Sequence, residues 1–205
     1  ARTMFTGIVE TMGTLVSRTD MGGDARLVIQ TGTLSLAECR TGDSISVSGA
    51  CLTMLEPLEN SFAADVSQET LGLTILGGLA EGGKVNLELA MGVHDRMGGH
   101  LVTGHVDGLG RLVSRHEDGR AERFEFEVPK SLAKYVARKG SVCIDGVSLT
   151  VNDVDGLRFG VCLIPHTTLI TTLGNLQPGD QVNIEVDLIA RYLERLMSPE
   201  FAEND

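Results

Sequence analysis

The 205-residue sequence predicts an all-β protein built from two tandem antiparallel barrels, with short helices and one helix at the C-terminus. Three observations carry this. Sliding the chain along itself by 97 positions aligns residues 4–91 with 101–188 without a gap, and 24 of those 88 pairs are identical. Within each copy, short β-branched or alternating apolar runs are separated by turn residues, at intervals that suit a small barrel and not alternating strand and helix. Glycine marks the corners, as at Gly42-Asp43, Gly77-Gly78 and Gly82-Gly83. A 97-residue period is too long for a solenoid, so it reads as one domain written twice. The expected division is 4–97 and 98–187, followed by a helix over 188–197. Each copy can bury a single, modest core.

The strands expected in the first copy are Gly13-Thr14-Leu15-Val16, Arg26-Leu27-Val28-Ile29-Gln30, Ser44-Ile45-Ser46-Val47, Leu52-Thr53-Met54 and Lys84-Val85-Asn86-Leu87-Glu88-Leu89. Each has a counterpart 97 residues on. Short helices are expected at 34–39, matched by 130–137, and at 69–73, matched by 167–171. Residues 92–100 link the copies, with Gly98-Gly99 as the flexible part. After the second copy, Ile189, Tyr192, Leu193 and Leu196 fall on one helical face, opposite Arg191, Glu194 and Arg195. That helix has no counterpart in the first copy. It either packs on its own barrel or joins three or more copies into an oligomer. Residues 198–205 are polar and expected to fray. Ala1-Arg2-Thr3 read as a remnant ahead of a natural-looking start at Met4.

A net charge of −11 repels a phosphate backbone, which argues against nucleic acid as a partner. No apolar run approaches the roughly 18 residues that span a bilayer, and no export signal is seen, so a cytoplasmic protein with no membrane partner is expected. Cys39, Cys51, Cys143 and Cys162 form no C-x-x-C pair, so no metal is expected and the thiols should be free. Tryptophan is absent and tyrosine occurs twice, so a flat ligand would be held by backbone and small side chains.

Four motifs stand in order within the repeat: Met4-Phe5-Thr6-Gly7-Ile8-Val9-Glu10, Gly49-Ala50-Cys51-Leu52-Thr53, Gly98-Gly99-His100-Leu101-Val102-Thr103-Gly104-His105-Val106-Asp107-Gly108, and Asp145-Gly146-Val147-Ser148-Leu149-Thr150. Together they closely resemble riboflavin synthase of the alpha-chain type, over about residues 4–197. The resemblance implies two six-stranded Greek-key barrels, each binding one 6,7-dimethyl-8-ribityllumazine. It implies transfer of a four-carbon unit from one lumazine to the other, giving riboflavin and 5-amino-6-(D-ribitylamino)uracil, with no metal or redox cofactor. It further implies a homotrimer held by the C-terminal helices, with the site between the N-terminal barrel of one subunit and the C-terminal barrel of its neighbour. Lumazine synthase is a further partner it raises.

The copies differ where chemistry would divide two identical substrates. Cys51 faces Ser148 in the alignment, Ser48 faces Asp145 and Ile8 faces His105, while Thr53 and Thr150 are unchanged. The reaction needs a proton removed from the donor's C7 methyl and a nucleophile added at C7 of the acceptor, so an acid/base group and a nucleophile are expected in different pockets. The residues matching the family's reactive set are Cys51, His105, Asp145, Ser148, Thr150 and Ser44. Matching binding positions are Gly7, Ile8, Val9, Cys51, Leu52, Thr53, Asp65, Val66, Ser67, Gln68, Glu69 and Thr70 in the first copy. In the second they are His105, Val106, Asp107, Lys139, Ser148, Leu149, Thr150, Cys162, Leu163, Ile164, Pro165, His166, Thr167 and Thr168.

Taken singly, each has a plainer reading. A free cysteine is ordinarily a small core residue, an Asp-Gly pair a turn, a lysine a solvated charge, and a histidine beside a glycine a core group. His100 is expected to order the linker. Ser48, Ala50, His166 and Thr168 depart from the usual family residues near the expected pockets. The alternative function is that of a lumazine- or flavin-binding antenna protein, which shares the duplicated fold without catalysis.

Overall fold

The patterned runs become strands, and the repeat becomes two β-structures joined by an irregular segment. The computed structural model describes residues 4–198. The first repeat holds β1 (Thr11–Met21), β2 (Asp24–Gln30), β3 (Ser44–Val47), β4 (Ala50–Thr53), β5 (Leu55–Leu58), β6 (Ser61–Val66), α1 (Gln68–Leu73) and β7 (Lys84–Leu89). The second holds β8 (Gly108–Asp118), β9 (Ala121–Glu127), α2 (Lys130–Ala133), β10 (Ser141–Ile144), β11 (Val147–Asp155), β12 (Arg158–Leu163), α3 (Pro165–Ile170) and β13 (Gln181–Val186), followed by α4 (Leu188–Met197). Residues 34–39 form turns, not the expected helix; Leu34 N–H and Cys39 N–H close short turns onto Thr31 and Leu36. The remnant read at 1–3 and most of the polar tail, 199–205, lie outside the described residues.

The second repeat closes into a six-stranded barrel in the order β10-β11-β12-β9-β8-β13. The first is a curled seven-stranded sheet, β4-β3-β7-β1-β2-β6-β5, and its two end strands are consecutive in sequence. It is the same ring with its fourth strand broken. β11 runs unbroken for nine residues, whereas its counterpart divides into β4 and β5 at Met54. Within β5, Glu56 is left-handed (φ 48°) and Pro57 has no N–H for the ladder, and the β5–β6 register shifts there, between Leu55 and Leu58.

Leu15, Leu27, Ile29, Phe62 and Leu87 fill the first core; Leu112, Phe124, Phe126, Phe159 and Ile184 hold the equivalent places in the second. Each such side chain, fully buried, contributes about 1.5–3 kcal/mol. The repeated Leu-Val-Ser-Arg quartet forms a bulge in both copies, between Leu15 and Ser17 and between Leu112 and Ser114. Its arginines then reach the carbonyls of Leu76 and Gly77, and of Gly174 and Leu176.

α4 starts at Asp187, whose carboxylate accepts the Ile189 N–H, and it buries no residue of its own. Its polar side faces the barrel: Arg191 pairs with Asp107, and Glu194 with Lys134 and Tyr135. Its apolar side, Ile189, Tyr192, Leu193 and Leu196, points outward at 52–78% exposure. No described helix is long and apolar enough to cross a membrane.

Candidate active site

The site is built by an exchange between repeats. Phe5 and Val102, both fully buried, exchange two backbone hydrogen bonds of 2.8 and 3.1 Å, so the leading segments of the two copies run against each other. Each then continues over the other repeat. The Gly7 carbonyl accepts the Ser148 N–H at 2.8 Å, and the Gly104 carbonyl accepts the Cys51 N–H at 2.8 Å. Val9 enters the second core and Val106 packs on the first. Glycine is required at both crossings. Gly7 and Gly104 have φ of +76° and +79°, and a Cβ there would lie 2.6 Å from Ser148 Cβ or 2.5 Å from Cys51 Cβ.

Two buried carboxylates hold these segments. Glu88 accepts from Thr6 N–H (2.7 Å), Thr6 O–H (2.7 Å) and Gly7 N–H (3.0 Å). Glu185 accepts from Thr103 N–H (2.7 Å), Thr103 O–H (2.8 Å) and Gly104 N–H (3.0 Å). Burial pushes the Glu88 carboxyl above its ordinary value, and the Thr6 and Gly7 donors oppose that. A second symmetric set locks the hairpins. The Ser48 and Asp145 side chains accept from Asn86 N–H (3.1 Å) and Asn183 N–H (2.7 Å). The two asparagines cross over: Asn86 Nδ2 donates to the Asp145 carbonyl (2.8 Å) and Asn183 Nδ2 to the Ser48 carbonyl (2.7 Å). Sequence reasoning did not single out Asn86, Asn183, Glu88 or Glu185. The signal was there: polar residues unchanged between copies within otherwise apolar strands.

The exchange brings Cys51 and His105 into one cavity of about 210 Å³, bordered also by Glu69, Thr70, Leu73 and Val106. Two groups expected in different pockets therefore share one. Burial raises the Cys51 thiol pKa above its ordinary 9.0, a hydrogen bond from Ser44 opposes this, and Glu185 adds to it. Cys51 is thus a neutral thiol near pH 7. Ser44 is its diagonal neighbour on one face of the β3–β4 hairpin, where Ser44 pairs with Thr53 and Ser46 with Cys51.

The equivalent place in the second repeat carries Ser148, with exposed Ile8 where the first has His105. His100 Nδ1 and Ser148 Oγ share a hydrogen bond of 2.6 Å, and the other ring nitrogen, Nε2, is buried without a protein partner. Burial lowers the His100 pKa, with Asp187 opposing, so the ring is neutral at pH 7. Thr150 is exposed on the same face as Ser148. His166 and Thr167 lie on α3, whose first residue is Pro165.

Other expected residues are placed elsewhere. Asp145 is 1% exposed, between the repeats and away from the Cys51 cavity, and burial pushes its carboxyl up to about 7. Leu52, Val66, Leu149 and Leu163 turn into the cores, because strand alternation puts them opposite Thr53, Asp65, Ser148 and Cys162. The Asp65 carboxylate is occupied by Arg26 at 2.7 Å, and that of Asp107 by Val186 N–H and Arg191. Ser67 caps α1 by accepting the Thr70 N–H, and the Gln68 N–H is held by Asp24. Ile164 is 58% exposed at the start of α3, beside half-buried Thr168. Lys139 is exposed and left-handed (φ 66°), where the first copy has Gly42. None of the four cysteines forms a disulfide. Among the described residues no cluster of three or more His, Cys, Asp or Glu could hold a metal ion.

Residues 6–90 and 103–187 each match the Lumazine binding domain family. The riboflavin synthase of Photobacterium phosphoreum is 45% identical over 194 residues, covering 95% of this chain and 89% of that protein. That of Mycobacterium tuberculosis is 46% identical over 198 residues, covering 95% and 98%. That of Bacillus subtilis is 40% identical over 194 residues, covering 95% and 90%. Among solved structures, LumP complexed with riboflavin superposes with a TM-score of 0.82 over 89% of this chain and 98% of that one; at 24% identity it shows the fold alone. With both lumazine-binding repeats matched and riboflavin synthases of over 40% identity aligned along nearly its whole length, the chain belongs to the riboflavin synthase family.

Proposed function

We propose that this protein is a riboflavin synthase, a transferase joining two molecules of 6,7-dimethyl-8-ribityllumazine. One lumazine gives up a four-carbon unit and leaves as 5-amino-6-(D-ribitylamino)uracil; the other gains it and becomes riboflavin. The observation that carries this reading is the exchange itself. One fold builds two related places, and the crossing decides which unlike groups meet in each: Cys51 with His105 in one, Ser148 with His100 beside Ile8 in the other. Holding both rings in register replaces an encounter in solution, an effect that can reach roughly 7–11 kcal/mol for well-oriented pairs.

In the first place, the exposed imidazole of His105 can carry a proton to or from a bound ring. Cys51, kept as a thiol, offers an S–H or becomes a nucleophile only once a partner takes its proton. In the second, neutral His100 orients the Ser148 hydroxyl, and Thr150 adds another. Asp145 acts through the hairpin that carries Ser148 and does not meet the rings. Asp65 and Asp107 hold their segments in shape through Arg26 and Arg191.

The exposed apolar side of α4 supports a homotrimer, in which the Cys51 place of one subunit meets the Ser148 place of its neighbour. The reading includes a cytoplasmic location, no cofactor, and lumazine synthase as a further partner. The test is direct. Purified protein incubated with the lumazine alone, without metal or nucleotide, should generate riboflavin absorbance. Tight binding without turnover would favour an antenna protein, and no binding would sink both.

A further inference from the structure

We infer that Arg191 is a positioning residue: its ion pair with Asp107 ties the C-terminal helix to the segment that carries His105 into the Cys51 cavity. The inference rests on the function proposed above. Residues 104–107 are pinned at three points. The Gly104 carbonyl is held by the Cys51 N–H, Val106 packs on the first core, and the Asp107 N–H donates to the Ile184 carbonyl at 2.8 Å. His105 is the one residue of the four whose side chain is exposed, so its aim is set by what holds its neighbours.

A further hold, at the Asp107 carboxylate, runs through α4. One Asp107 oxygen accepts the Val186 N–H at 2.8 Å, and the other faces the Arg191 guanidinium. The Asp107 side chain is 6% exposed, so its charge has lost most of its water and depends on that cation. The repeat supplies the comparison. Glu10, the equivalent carboxylate, accepts the Leu89 N–H at 2.8 Å, is exposed, and has no ion pair among the described residues. The first copy has Ile8 where the second has His105, and no helix follows its last strand. Among the described residues the ion pair therefore occurs only in the repeat whose leading segment carries the imidazole.

Arg191 lies on the inward side of the helix, opposite the apolar side offered to other subunits. Because α4 is a ten-residue rigid element, a shift of that side on assembly is passed by Arg191 to Asp107 and so to His105.

The test uses the full-length protein. In Arg191→Met, amide hydrogen exchange at 105–107 should speed up about fivefold, the factor a part-exposed ion pair of about 1 kcal/mol corresponds to. kcat should fall by a similar factor with KM little changed and the sedimentation mass unaltered. Arg191→Lys should recover most of the loss. Asp107→Asn should reproduce it, and the double variant should be no worse than either single one. Unchanged exchange at 105–107, independent losses in the double variant, or a loss found only where the oligomer dissociates would overturn the inference. Exchange needs no substrate. A protein that forms no riboflavin but shows the expected exchange would remove the proposed function and leave the coupling standing.

Discussion

Replacing Asp145 by serine copies into the second hairpin what Ser48 already does in the first. Ser48 Oγ accepts the Asn86 N–H at 3.1 Å, as Asp145 Oδ1 accepts the Asn183 N–H at 2.7 Å, so the lock should survive. What changes is the buried charge. Burial lifts the Asp145 carboxyl from 3.8 to about 7, which means the folded chain holds that proton more tightly than the unfolded one. Below about pH 4 the group is protonated in both states and costs nothing. Between about 4 and 7 the unfolded chain ionises first, stability falls as pH rises, and above about 7 the full penalty is present. The gap between 3.8 and about 7 corresponds to a ceiling of about 4 kcal/mol. Serine accepts a weaker bond than a carboxylate, worth about 1 kcal/mol less. Asp145→Ser should therefore be more stable than the parent by roughly 2–3 kcal/mol at pH 8, with the advantage vanishing towards pH 4. Urea unfolding of both proteins across that range measures it. A difference that does not vary with pH would refute the reasoning. Riboflavin formation should stay within a few-fold of the parent, whereas a thousandfold loss would place Asp145 in the proton chemistry.

Gly104→Ala would set a Cβ 2.5 Å from that of Cys51 at a φ of +79°. It should cost about 1–3 kcal/mol in thermal unfolding and at least tenfold in lumazine affinity; an unaffected variant would contradict the crossing. Cys51, held as a thiol by burial, should react slowly with iodoacetamide at pH 7 and about tenfold faster per pH unit until above pH 9, as followed by peptide mass mapping. Fast labelling at pH 7 would show a thiolate. Leu193→Glu puts a charge on the outward side of α4 without touching Arg191 or Glu194, and it should lower the sedimentation mass to that of a single chain. An unchanged mass would remove that side from the assembly.

The sequence carried the strands because their causes are local. Alternation in Arg26-Leu27-Val28-Ile29-Gln30 places Leu27 and Ile29 inward whatever surrounds them, and the i, i+3, i+4, i+7 spacing after 188 fixes a helical stripe. Residues 34–39 failed as a helix because nothing there beats turn closure on Thr31 and Leu36. The site was legible as a set of residues and illegible as an arrangement. Cys51, His105 and Ser148 stand in the four motifs, whereas Glu69 and Thr70 are named only as positions matching the family. Leu52 and Leu149 are named as positions matching the family and turn into the cores by strand alternation, and Asp145, named with the reactive set, is buried in its hairpin.

Two copies of one domain, and the positions at which they differ, were settled by sequence alone, since both follow from comparing residues 97 apart. Which copy each leading segment serves was decided only by the tertiary structure. Thr6-Gly7 and Thr103-Gly104 present the same backbone groups to the same kind of hairpin, so either pairing satisfies the local hydrogen bonds equally. The Phe5–Val102 pairing, the crossed asparagines and the packing of Val9 and Val106 on opposite cores select the exchange. The backbone pairing and the asparagine bonds join residues 59 to 135 positions apart, and no local pattern encodes them. That selection moves His105 from the hydroxyl of Ser148 to the thiol of Cys51.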